Sequence, residues 1–337
     1  MKAPHGERPL RALAYLTAAQ VCFVLLDATG KRLATEIGIP LVSLVRHFGH
    51  ALLMFVFLAP TLGVALWRTK RPGTQLLRGL SLAGFTLFFF TALGRLPQAD
   101  ATAINFIAPF AVMLLAGPLL GERVGWPRWA GAALGFLGML LVVRPDANLD
   151  PIGVVFVLLT VICNVAFQLL TRSLAITENS LATIFLSSLV GIAVSTAVLP
   201  LQGSWGGWPE SLDARQMALL ASLGATGMVS QWFWIRAYYW SSASFIAPLV
   251  FLQIFWATLA GWGFFGQLPS TLSFVGMAAI GASGAAAMLL DRRVRASTAA
   301  VAKALQTGDG AGRRPVTPTR EERAPSTPQS PAGRRKK

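Results

Sequence analysis

Long apolar runs separated by short polar breaks fill most of the chain. Ten of them lie near 10–30, 41–66, 76–95, 101–120, 128–144, 151–171, 180–199, 216–239, 244–265 and 272–290. Each is close to the roughly 20 residues a helix needs to cross a bilayer. Proline and glycine punctuate the connections: Gly38-Ile39-Pro40, Arg71-Pro72-Gly73, Leu96-Pro97, Arg144-Pro145-Asp146, Gly203 to Pro209, and Leu268-Pro269. The runs are too long, and too free of alternation, for membrane strands. The pattern therefore predicts an all-α membrane protein with ten transmembrane helices.

One part of the pattern is written twice. Ala101–Val143 is an apolar run, a break at Gly121-Glu122, and a second apolar run rich in glycine; a similar stretch ends in Gly266-Gln267 and continues to residue 290. Placing Gly121 over Gly266 sets an offset of 145, which also pairs Gly79 with Gly224, Phe88 with Phe233, Ala92 with Ala237, Phe106 with Phe251, Phe110 with Phe255, Leu114 with Leu259 and Gly131 with Gly276. The division that follows is 1–146 and 147–291 as two five-helix repeats, with 292–337 as a basic tail. Five is odd, so the second half is expected to insert upside down relative to the first. Inverted repeats are a common plan for transporters, with the substrate between the halves near the midplane. Gly131-x-x-x-Gly135 with Gly138, and Gly276 with Gly281 and Gly284, offer smooth faces for close helix contact.

Composition agrees with the membrane reading. Of 337 residues, 54% are hydrophobic and only 13% charged, about half the charged share of a soluble domain. The net charge of +15 is concentrated: from Asp291 onward, twelve arginines and lysines face four acidic residues. Nucleic acid is thus a poorer explanation than cytoplasmic topology or anionic lipid. Lys2, Arg8, Arg11, Arg68, Lys70, Arg71, Arg78, Arg123, Arg128, Arg172, Arg236 and the tail fall on one side, against Lys31, Arg32, Arg95, Arg144 and Arg215 on the other. The positive-inside rule then puts both termini in the cytoplasm of an inner-membrane protein. The basic start before the first run resembles a signal peptide, but nine more spans make a retained first helix the expectation. The tail, with Thr317-Pro318, Thr327-Pro328 and Ser330-Pro331, has a disordered composition. Cys22 and Cys163 sit in apolar runs with no metal spacing, and three histidines do not make a zinc site.

Ionisable groups inside spans are expensive, and so are candidates for function. Asp27 has Lys31 one turn on, which is either a functional pair or a structural ion pair at the outer interface. Arg46 and His50 share a face of the second span, too deep for simple snorkelling. Arg46 suits a carboxylate or another anion, or holds Asp27. His50 suits the same site or a proton, or bonds a neighbouring helix, and His47 is expected to point elsewhere. Gln20, Asn105, Asn164, Gln168, Gln231 and Gln253 add uncharged polar groups that line a cavity or glue helices. Trp234 and Tyr238 lie one turn apart, as a stacking wall for a planar solute would. Trp67, Trp126, Trp129, Trp205, Trp208, Tyr239 and Trp240 read as an interfacial belt.

Ten spans, two five-helix halves and a fourth span running from Pro109 to Gly121-Glu122 resemble the drug/metabolite transporter superfamily in its EamA branch. Asp27-x3-Lys31 and Arg46-x3-His50 are similar to a pattern found in a subset of that branch. The resemblance covers about residues 10–290, while Gln267 and Ile254 depart from its usual glutamate and proline. It implies an inner-membrane carrier of small organic metabolites such as amino acids or vitamins, by facilitated diffusion or proton-linked exchange, without cofactor or metal. The substrate-binding candidates are Asp27, Arg46, His50, Asn105, Gln168, Gln231, Trp234 and Tyr238. An intramembrane enzyme using Ser283, or a passive channel, are the competing readings; no aspartyl-protease motif and no filter-like loop is present.

Overall fold

The computed structural model describes residues 8–37, 39–58, 60, 63–96, 98–143, 149–198, 200, 212–265, 271–272 and 274–283. The expectations placed on Gly266-Gln267, Trp205, Trp208, Gly284 and the tail lie outside those residues, as does the side chain of Lys31. Among the described residues every regular element is helical. We label them α1 (Pro9–Ile37), α2 (Ile39–Leu53, prolonged by a wide turn over Met54–Leu58), α3 (Pro72–Leu93), α4 (Gln98–Asn105), α5 (Ala108–Leu120), α6 (Trp126–Val143), α7 (Pro151–Thr177), α8 (Ser180–Val198), α9 (Ala214–Trp240), α10 (Ala243–Ile246), α11 (Leu252–Phe265) and α12 (Phe274–Ser283). A tight turn, Ala247–Phe251, joins α10 to α11.

Among the described residues, six segments are long and apolar enough to cross a membrane: Pro9–Gly30, Ala101–Leu120, Pro151–Thr177, Ser180–Val198, Ala214–Trp240 and Ala243–Ala260. Leu41–Phe57, Trp126–Val142 and Phe274–Ser283 are shorter apolar helices. The outer faces carry exposed Leu114, Leu119, Leu137, Val155 and Ile162, as expected where lipid replaces water.

The helix ends follow local chemistry. Asp150 accepts from the Ile152 amide ahead of Pro151, whose missing N–H is an orphan at that position anyway. Asp213 and Gln216 form a reciprocal capping box at the start of α9. Gly121 closes α5 at φ 67°, a left-handed conformation that suits glycine.

Two apolar runs that read as single spans are broken. Between α4 and α5 the helix is interrupted at Phe106-Ile107, three residues before Pro109, which cannot donate to the Asn105 carbonyl. Between α10 and α11 the interruption contains Pro248. At the offset of 145 Pro109 corresponds to Ile254, which is helical in α11; the second run breaks all the same, at a proline six residues earlier. Phe106 and Phe251 sit at these two breaks, and their rings stack with centroids 5.2 Å apart.

The contacts between helices recur in pairs. Helix α1 runs along α9 as α7 runs along α3; α2 packs on α9 as α8 packs on α3; α1 meets α11 as α7 meets α5. Adding 145 to the numbers of α1, α2, α3 and α5 gives α7, α8, α9 and α11, and so turns each contact into its counterpart. Helices α6 and α12 approach through bare backbone: a Cβ on Gly138 would lie 2.8 Å from the Gly276 carbonyl oxygen, and one on Gly135 3.0 Å from Ser283 Oγ.

Candidate functional site

Helix α2 brings its two histidines to one place. His47 and His50 are three residues apart and therefore share a face; they are 1% and 5% exposed, with ring centroids 6.0 Å apart. This corrects the expectation that His47 points elsewhere. Each ring occupies a space left by a glycine on a facing helix. A Cβ on Gly191 of α8 would lie 2.6 Å from His47 Nε2, and one on Gly227 of α9 would lie 2.8 Å from His50 Cε1. A glycine–glycine contact, Gly49 on α2 against Gly224 on α9, lets the two backbones touch. His47 Nδ1 lies 2.8 Å from the Ser43 carbonyl, which can only accept, so Nδ1 carries a proton and donates. Nε2 of both rings is buried without a hydrogen-bond partner.

Facing them is Arg78 of α3, with Arg172 the largest fully buried side chain in the described residues. Its Nε donates to Thr171 Oγ1 (2.9 Å), Nη1 to Ser187 Oγ (2.6 Å) and Nη2 to Gln231 Oε1 (2.9 Å), and its guanidinium lies 4.7 Å from the centre of the Phe167 ring. All of these partners are neutral. The sequence places Arg78 among the cytoplasmic positive charges; the structure turns it inward, held by α7, α8 and α9 together. His47, His50, Arg78, Ser187, Ser188 and Gln231, with Leu82 and Ile184, line a small cavity with room for about one water molecule.

Other candidates fall into two neighbouring groups. Arg46 lies within electrostatic reach of both histidines and of Asp27, and its Nε is buried without a partner. Asp27 itself stays accessible beside the bundle. On the other flank, amides form a relay. Tyr238 Oη donates to Gln168 Oε1 (2.8 Å), Gln168 Nε2 to Asn164 Oδ1 (3.1 Å), and Asn164 Nδ2 to Asn105 Oδ1 (3.2 Å) beside the α4–α5 break. Gln20 of α1 serves the other break, donating to the Leu249 and Val250 carbonyls at 3.1 and 3.3 Å. Trp234 packs on Tyr238 (5.4 Å) and on Phe23 (5.8 Å), with its indole N–H unpaired. Gln231, Trp234 and Tyr238 follow one face of α9, so the relay and the cavity form one polar seam through the bundle. Tyr239 and Trp240, expected as a belt, instead join Tyr15 and Trp232 around the Arg236 guanidinium, 5.0–6.0 Å from the four ring centres.

A second charged centre has no counterpart in the sequence expectations. The Glu122 carboxylate, just beyond the left-handed Gly121, accepts from the backbone amides of Ala243 and Ser244 (3.0 Å each) and from Ser244 Oγ (2.9 Å). It thereby caps α10, whose own Ser242 makes no side-chain cap. Arg172 Nε completes the centre at 3.2 Å, and Arg172 Nη1 also donates to the Tyr238 carbonyl. Arg128 Nη1 reaches the Ser244 hydroxyl at 2.5 Å. Helices α7 and α10 and the α5–α6 connection thus meet on one carboxylate. Among the described residues no cluster of histidine, cysteine or carboxylate side chains fits a metal ion.

Residues 10–144 match the EamA-like transporter family. Over that stretch the chain is similar to the EamA-like transporters. It is similar to an S-adenosylmethionine uptake transporter of Rickettsia conorii, 27% identical over 72% of this chain and 80% of that one. A riboflavin transporter of Rhizobium johnstonii is 29% identical over 79% and 87%. A pseudopaline exporter of Pseudomonas aeruginosa is 26% identical over 77% and 89%. A solved crystal structure 21% identical in sequence superposes with a TM-score of 0.72, over 85% of this chain and the whole of that one, and so shares the fold. The chain has several helices long and apolar enough to cross a membrane, and the relatives it resembles are named as transporters of small molecules.

Proposed function

We propose that this EamA-like protein is an inner-membrane secondary transporter that moves a small polar or anionic organic metabolite by alternating access. Its moving parts are two inverted five-helix halves, residues 1–146 and 147–291, which together make ten spans with both termini cytoplasmic. The observation that carries the reading is the meeting of the two broken helices at Phe106 and Phe251. Residues related by the offset of 145 touch each other there, as they would beside a two-fold axis between equivalent halves. The paired helix contacts point the same way, and so does the supply of one amide side chain to each break, Asn164 from α7 and Gln20 from α1. A break buried inside a bundle is where half-helix ends present backbone polar groups to a solute.

The polar seam supplies the site. Arg46 with Asp27 stands at one end, His50 and Gln231 in the middle, and Gln168, Asn105, Trp234 and Tyr238 at the other. The solutes named for the relatives, S-adenosylmethionine, riboflavin and pseudopaline, share polarity and modest size, which suits a seam of amides with one aromatic wall. Protons are the candidate coupling ion. The test is flux into proteoliposomes holding the purified protein, across labelled amino acids, vitamins and nucleosides. Saturable uptake that unlabelled substrate competes is expected. Linear uptake with unitary ion currents would establish a channel instead.

A further inference from the structure

The start of α1 and the end of α9 bring three guanidiniums to one indole. Arg8 and Arg11 lie three residues apart at the start of α1, and Arg236 and Trp240 four apart on α9, so each pair shares a helix face. The guanidinium of Arg8 lies 5.3 Å from the centre of the Trp240 ring, that of Arg11 5.1 Å and that of Arg236 5.8 Å. The Arg8 amide donates to the Trp240 carbonyl at 3.0 Å, which pins the start of one helix to the end of the other. A cation over an aromatic face is attracted to the ring, but that attraction does not cancel the repulsion among three like charges. Among the described residues none of the three pairs with a carboxylate. Glu7, next to Arg8 in the sequence, lies outside those residues and carries one negative charge against three positive ones.

Donors at the cluster also lack acceptors. Arg236 Nε and Trp240 Nε1 are both buried without a hydrogen-bond partner, while Arg8 and Arg11 are exposed. Unpaired donors and surplus positive charge call for the same thing, an anion with several acceptor oxygens, and the guanidinium fork matches a phosphate. The level of the cluster says where that phosphate comes from. Of the segments able to cross a membrane, Pro9–Gly30 begins at the cluster and Ala214–Trp240 ends there. A rim of arginine and tryptophan at the end of a span lies at the depth of the lipid headgroups. One turn deeper, Tyr15, Trp232 and Phe233 form an aromatic shelf with ring centres 5.2–6.1 Å apart. Helix α1 then carries exposed Leu10, Ala14, Val21 and Leu25 at helical spacing along one apolar face. A soluble phosphate would use the rim alone, whereas a lipid uses the rim and the face below it.

We propose that the junction of α1 and α9 binds the phosphate of an acidic phospholipid, held by Arg8, Arg11 and Arg236 around Trp240, with an acyl chain along the exposed face of α1. Four aromatic rings surround the Arg236 guanidinium and hold it in place; the two exposed arginines of α1 complete the seat. The site is separate from the polar seam and does not depend on what the protein carries.

The experiment is thermal unfolding of the purified full chain in dodecyl maltoside, with added dioleoylphosphatidylglycerol or an equal concentration of dioleoylphosphatidylcholine. A ligand that binds the folded state raises the midpoint. Phosphatidylglycerol is expected to raise it by about 2–5 °C over phosphatidylcholine at saturation, and soluble glycerol 1-phosphate not at all. Arg8→Gln/Arg11→Gln should lose most of that difference, and adding Arg236→Gln should abolish it. Arg68→Gln/Lys70→Gln removes two exposed charges at the same end of the bundle, beside the close of α7, and should keep the difference intact. Equal midpoints in the two lipids would overturn the site. Equal losses from the two double variants would overturn it as well, since that is how bulk attraction to a basic surface behaves. Glycerol 1-phosphate matching the lipid would replace the lipid with a free phosphate and so overturn the assignment. Both double variants alter exposed side chains, so their comparison decides the matter even if Arg236→Gln fails to fold.

Discussion

Glu122→Ala is the perturbation whose size the structure sets most directly. The carboxylate is 6% exposed and its partner Arg172 is 2% exposed. Truncation removes one ion pair and three further hydrogen bonds, two of them to the first backbone amides of α10. Charge-assisted hydrogen bonds are worth about 1.5–3 kcal/mol each. They do not simply add, because the freed amides of a short helix can pair with water near the membrane surface. Removing one partner of a buried ion pair costs about 3–5 kcal/mol in total, and that range is the expectation here. At about 2–4 °C per kcal/mol it lowers the unfolding midpoint by on the order of 10 °C. Glu122→Gln keeps one acceptor oxygen but turns an amide N–H₂ toward other donors, and should fall between alanine and wild type. The assay is thermal unfolding in detergent, with far-UV circular dichroism to establish that each variant starts fully helical. A Glu122→Ala midpoint within about 1 °C of wild type would refute the view that this carboxylate ties α7, α10 and the α5–α6 connection together.

Two further outcomes follow from the same contacts. Gly227→Ala forces the His50 ring out of its space and should cost about 1–3 kcal/mol as overpacking, whereas Gly73→Ala, with nothing within 4 Å of the new Cβ, should leave the midpoint unchanged; equal midpoints for the two would contradict the glycine sockets. Asp150 both caps α7 and pairs with Arg95 at 3.3 Å across partly exposed side chains. Asp150→Ala should cost about 1 kcal/mol through the lost cap and Asp150→Asn about 0–0.5 kcal/mol, since such exposed pairs contribute little, an order that chemical denaturation in mixed micelles can check.

The helices were legible because each is a long apolar run closed by proline, glycine or an Asp cap. The amide relay was legible residue by residue: Asn105, Asn164, Gln168 and Tyr238 stand out as polar groups within apolar spans. The position of the second helix break was not. Its proline, Pro248, is out of register with Pro109, and a single proline near the start of an apolar run also suits an ordinary helix start. The inward turn of Arg78 was hidden for a physical reason. It lies six residues into α3, where a long side chain can snorkel to the surface as readily as turn inward. The usable signal was its spacing from Gln75, also buried, which sets two polar groups on one face. The Arg172–Glu122 pair spans fifty residues, and nothing local to either marks the other. His47 was assigned to the wrong face although the i, i+3 spacing to His50 already allowed a shared one.

The inward turn of Arg78 also has an electrical consequence. A guanidinium sealed inside the bundle is a fixed charge within the field across the membrane, where each full elementary charge moved is worth about 2.3 kcal/mol per 100 mV. In the rocking scheme proposed above, the empty carrier returns with that charge uncancelled, and an anionic cargo bound elsewhere along the seam would offset it in the loaded carrier. Membrane potential would then bear on the empty half of the cycle alone, and a voltage clamp would find it setting the turnover rate while leaving the loaded step untouched.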